Sequence, residues 1–167
     1  MKRQRPDYTD NANSVVLLLT FGDFDFYDGG DLTWNLELKL VCPTKLVPEV
    51  DAFQITHHGT DTSNPPQLLK ALSPTVAVIN NGPKKGGQPN SFATLKATPS
   101  IQSIYQVHRN VRPGEEHANT DAALTANADE ACEGNSIKLS VEPDAARYHV
   151  TIPATGHTRT FQTKRAG

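Results

Sequence analysis

The sequence predicts an α/β domain. Strand-like apolar runs alternate with stretches of helical spacing through residues 14–107, and three segments of alternating polar and apolar residues close the chain. Length adds a constraint: a chain of 167 residues buries about two thirds of its unfolded surface as one unit, which leaves little for a second core. The expected organisation is a polar N-terminal segment at 1–13 and one domain at 14–167.

Residues 14–20 read as a buried strand, Gly22-Asp23 as a tight turn, and residues 24–27 as the antiparallel partner. After Asp28-Gly29-Gly30-Asp31 breaks the pattern, Leu32, Leu36 and Leu40 recur at helical spacing together with Leu38 and Val41, and Pro43 ends the helix. Residues 52–56 form the next strand, followed by a polar loop at 59–64. Pro65-Pro66 suits the first turn of a helix whose buried face is Leu68, Leu69 and Leu72. Residues 76–79, a continuous apolar run, suit a central strand. A loop at 82–88, a short helix at 91–98 and a strand at 101–107 follow, then a polar stretch with a weak helix at 120–128. Residues 136–141, 148–152 and 158–162 alternate as antiparallel strands do.

Composition narrows the function. Sixteen basic and 18 acidic side chains give a net charge of −2, so no global field attracts nucleic acid or an anionic membrane, and a nucleic-acid partner is unsupported. The longest wholly apolar run, residues 15–19, is too short to cross a bilayer, so no membrane association is expected. The expected location is cytoplasmic as the sequence stands, or exported if its start is truncated, since Lys2, Arg3 and Arg5 resemble a signal n-region without its apolar core. Cys42 and Cys132 fit no zinc-knuckle spacing and serve as buried thiols or as one disulfide. No serine elbow, phosphate-binding Gly-Lys-Ser/Thr loop or dinucleotide fingerprint occurs.

The residues suited to chemistry lie where strands end. Asp31 follows two glycines that let the backbone approach closely, and it serves either as a helix cap or as a metal ligand. His57 and His58 follow an apolar run; if the strand continues they face opposite sides, so His57 is favoured as the ligand and His58 as an orienting or substrate-contacting group. Asn80, Asn81, Lys84 and Lys85 lie just past a strand, where amides and ammonium groups are placed to steady an anionic substrate.

Gly30-Asp31-Leu32-Thr33, the Glu37 helix, Phe53-Gln54-Ile55-Thr56-His57-His58-Gly59, Ser63-Asn64 and Val76-Ala77-Val78-Ile79-Asn80-Asn81-Gly82 resemble, in order and spacing, the second half of metallo-β-lactamase-fold proteins, closest to the ComEC-like branch. The resemblance spans roughly residues 11–110. It implies half of an αββα sandwich with a C-terminal antiparallel strand region, zinc as cofactor with Asp31 and His57 as its ligands, and Asp31, His57 and His58 as the catalytic group. It also implies hydrolysis of phosphodiester or ester-like bonds in a small-molecule or phosphodiester substrate by a metal-activated water.

The family's earlier His-x-His-x-Asp-His motif does not occur in this chain. Catalytic zinc takes about three protein ligands, and Asp31 with His57 supplies two. The remainder falls to a second copy, to His58, or to Asp28, Asp61 or His108. A lone half would leave an apolar sheet face exposed, which predicts a homodimer. The rival expectation is a non-catalytic structural or binding module.

Overall fold

Parallel strands require crossover connections, and that requirement organises the molecule. The computed structural model describes residues 7–165. Strands β1 (Leu17–Phe21) and β2 (Phe24–Asp28) form an antiparallel hairpin, its turn eased by Gly22 at φ +56°. β2 then pairs in parallel with β3 (Ala52–Gln54), β3 with β4 (Val76–Ile79), β4 with β5 (Ser103–His108) and β5 with β6 (Thr125–Asn127). Spatial order equals chain order in this six-stranded sheet. Since crossovers between parallel strands are right-handed, an unreversed order puts every connecting helix on the same face.

Those helices are α1 (Trp34–Glu37), α2 (Pro66–Leu72) and α3 (Pro89–Lys96). The pleat assigns alternate residues to opposite faces. Tyr27, Phe53 and Ala77 join Leu68, Leu69, Leu72, Phe92 and Leu95 in the helix-side core. Phe24, Ala52, Val76 and Tyr105 look the other way and meet Tyr148, Val150, Ile152 and Phe161. These last residues belong to a second, antiparallel sheet of β7 (Lys138–Val141), β8 (Arg147–Ile152) and β9 (His157–Gln162). The molecule is therefore a mixed α/β protein with a three-stranded antiparallel sheet on the helix-free face.

Several expectations change. The face predicted to lie open is covered by β7–β9, so a bare sheet face no longer argues for a dimer. The strand expected to be buried at 14–20 is instead an exposed edge: all five residues of β1 are exposed, with Leu17 and Leu19 both at 57%. The helix expected at 32–41 shrinks to α1 plus a 3-10 turn, Leu38–Leu40, because the residue that turns fully inward is polar Glu37 rather than the flanking leucines. The weak helix at 120–128 becomes a 3-10 turn, Ala122–Leu124, and β6, where pairing with β5 and the β-branched Thr125 override alanine's helix preference.

Of the polar segment expected at 1–13, residues 1–6 lie outside the described residues. Asp10–Asn13 forms a 3-10 turn whose cap, Thr9, accepts from the Asn11 N–H. Cys42 and Cys132 are free, exposed thiols. Among the described residues, no helix is long and apolar enough to cross a membrane.

Candidate functional site

In open α/β sheets, ligands bind beyond the carboxyl ends of the parallel strands. Asp31 follows β2, the two histidines follow β3 and Asn80 follows β4, so three adjacent strand ends meet at one edge. Asp28 folds the first connection: its Oδ1 accepts the Gly30 N–H at 2.8 Å and its Oδ2 accepts from Gln54 Nε2 at 2.9 Å. Asp31 does not take the expected alternative role of capping the following helix. The cap position is Thr33, leaving the Asp31 carboxylate outside the helix.

β3 stops at Gln54, so the histidines are not a strand continuation. His57 and His58 both adopt left-handed backbone conformations, at φ +55°, and Gly59 follows at +76°. Each such non-glycine residue costs about 1–3 kcal/mol and persists only where its surroundings over-determine it. Here they do. The His57 N–H donates to Gly30 O, the Gly87 N–H to His58 O and the Gln88 N–H to Gly59 O, each at 2.8 Å. The Asn64 side chain clasps the residue before the turn, accepting from the Thr56 N–H at 3.1 Å and donating to Thr56 O at 3.0 Å.

His58, rather than His57, reaches Asp31: its Nε2 lies 3.6 Å from Oδ1. On the other side of the ring, Nδ1 lies 3.0 Å from Asn80 O. A carbonyl can only accept, so Nδ1 carries a hydrogen, and Nε2 is the ring nitrogen turned toward the carboxylate. Nε2 and the carboxylate oxygen face one another across a gap that a shared proton or a cation can bridge.

His57 lies beside this pair, its ring centroid 6.5 Å from that of His58. Its Nδ1 is 3.3 Å from Ser63 Oγ and its Nε2 is 3.5 Å from Asn11 Nδ2. Burial holds the His57 imidazole below its ordinary range, with His58 and Lys85 adding to the effect and Asp31 opposing it. The ring is thus biased toward its neutral, lone-pair form.

The remaining candidates divide. Asn81 is buried, and its amide bridges backbone: Nδ2 donates to His108 O at 2.7 Å and to Gly82 O at 3.1 Å, which clamps β4 to β5. Lys84 forms an ion pair with Glu130. Lys85 is exposed and near enough to His57 to act on its basicity. Asp61 accepts from the Ser91 N–H in the first turn of α3 at 2.9 Å, and Asp28 is occupied as described. His108 is buried at the end of β5 with an unpartnered Nδ1. Among the described residues, no three His, Cys, Asp or Glu side chains are grouped to hold a metal ion. Asp31 and His58 therefore fit one side of a zinc shell and not a self-contained centre.

Reading the sequence missed Asn11, which comes from the polar N-terminal segment and which no motif singles out. Gly86 was visible only as part of a turn. Its φ is +74°, and a Cβ there would lie 2.1 Å from His58 O. Gly86→Ala is expected to lose about 1–3 kcal/mol of stability in a urea titration and to displace the His58 ring resonances. An unperturbed His58 signal would show that this loop does not hold the turn. No protein-family model and no curated protein matches the chain.

Proposed function

We propose that this chain is the second half of a metal-dependent hydrolase of the metallo-β-lactamase superfamily, acting on phosphodiester or ester-like bonds, with a ligand set completed by donors from outside a single copy of the chain. The observation that carries the reading is the approach of His58 Nε2 to Asp31 Oδ1 at 3.6 Å, with the far side of the ring fixed by Asn80 O. A strained pair of histidines held by backbone bonds on both flanks supports it, since such strain gathers at functional sites. Zinc titration by calorimetry, with turnover of a phosphodiester reporter, tests the reading. Asp31→Ala and His58→Ala are each expected to reduce zinc affinity at least tenfold and to abolish chelator-sensitive turnover. Zinc binding unaffected by either change would end it.

The completing donors are assigned to a second copy of the chain, docked along β1. From Ser14 to Phe21 there is no ionisable side chain, so two copies of this strand pair antiparallel about Leu19 with no like charges opposed. Leu17 lies opposite Asp28 at the site end of the sheet. An antiparallel second β1 therefore carries its hairpin tip, with Asp23 of the partner subunit, toward that end. A non-catalytic module is the second reading, favoured by the absence of a three-ligand group among the described residues. Folded, dimeric protein with no chelator-sensitive turnover would select it.

A further inference from the structure

Beneath the histidine turn lies a buried polar cluster. Glu37, on α1, is fully buried, and one of its carboxyl oxygens, Oε2, accepts the Asn64 N–H at 2.8 Å. Its other oxygen, the Tyr27 hydroxyl of β2 and the Thr56 hydroxyl are buried without a hydrogen-bond partner. Three unpaired polar atoms in one core are costly unless they satisfy one another, because each loses its water on folding. Glu37 sits among them: the Thr56 hydroxyl lies close enough to favour its anion, and its charge acts on Tyr27.

The cluster leads to the site by a short path. Glu37 holds the Asn64 backbone; the Asn64 side chain holds both backbone groups of Thr56 and donates to Ser91 Oγ of α3 at 3.3 Å; His57 is the next residue along the chain. Asn64 itself needs that support, since its own φ is +62°. We propose that Glu37 is a positioning residue for His57 and His58, acting through Asn64 and Thr56 as a neutral carboxyl group whose proton bridges its free oxygen to one of the orphan hydroxyls. The inference takes the two histidines as the site, in line with the proposed function, but it requires neither a cation nor turnover.

Charge on Glu37 has little to balance it. Tyr27 is the titratable group that faces it, burial and Glu37 itself hold that phenol in its neutral form, and no cation pairs with Glu37 among the described residues. Burial accordingly pushes the carboxyl up to about 8, opposed by the Asn64 N–H and the Thr56 hydroxyl. The native state holds this proton where the unfolded chain has released it. Its contribution to stability is therefore full below pH 4.5 and lost as the pH rises through about 8.

Ring ¹⁵N resonances of His57 and His58, followed by NMR through pH 8 in the wild-type protein and in Glu37→Gln without added metal, test the proposal. In the wild type a second inflection near pH 8 is expected in both rings, beyond their own titration. In Glu37→Gln, which keeps a neutral donor and acceptor in place, the wild-type low-pH shifts are expected and the inflection is lost. An inflection that survives in Glu37→Gln, or none in the wild type, overturns the proposal. Zinc binding and turnover in the same samples report separately on the proposed function, so either reading can fail while the other stands.

Discussion

Tyr148→Ala is expected to lower the unfolding free energy by about 3–5 kcal/mol, the range for emptying a buried aromatic site. Tyr148 is completely buried, stacked on Phe161 with ring centroids 5.3 Å apart and tilted against Phe24 at 5.0 Å. Its hydroxyl donates to Asp51 O, 3.1 Å away, at the start of β3. One side chain therefore joins both sheets and ties the small one to the strand that delivers the histidines. Tyr148→Phe removes only the hydroxyl and is expected to lose about 1 kcal/mol, which separates the hydrogen bond from the packing. Urea unfolding of the two variants is the measurement. An alanine variant within about 1 kcal/mol of wild type would mean that β7–β9 does not hold the sheet face as described.

The hydrophobic pattern reported the strands well where burial on one or both faces left a clear period. The apolar run at β4 and the alternation of β8 and β9 both mark elements found in the structure. It failed where apolar character and burial part company. Leucines at 17, 18 and 19 look like core residues in the sequence, but they line an edge with nothing packed on it among the described residues. Glu37 fails in the opposite sense, as a carboxyl group in the core that no periodicity analysis would place there.

The site was legible as residue types and only partly as geometry. Asp31, His57 and His58 do gather at adjacent strand ends. Which imidazole faces the carboxylate depended on two consecutive left-handed residues, and such backbone excursions are imposed by distant partners, here Gly30, Asn64 and Gly87. Local sequence carries little of that information.

Leu19→Lys is expected to halve the molar mass measured by light scattering at micromolar concentration, converting a β1-paired dimer to monomer. A lysine at the two-fold centre would place two ammonium groups opposite one another, and lysine on an exposed strand is a common way for natural edges to resist pairing. The monomer should barely register the change, because Leu19 is already 57% exposed and exposed substitutions stay within about 0.5 kcal/mol. Association and folding are therefore separable in this variant, with unchanged circular dichroism as the control. Leu46→Lys, equally accessible at 67% exposure but outside β1, should leave the dimer intact. A monomeric wild type, or a dimer that survives Leu19→Lys, would remove β1 as the docking edge, and the missing donors for Asp31 and His58 would then have to come from another polypeptide segment.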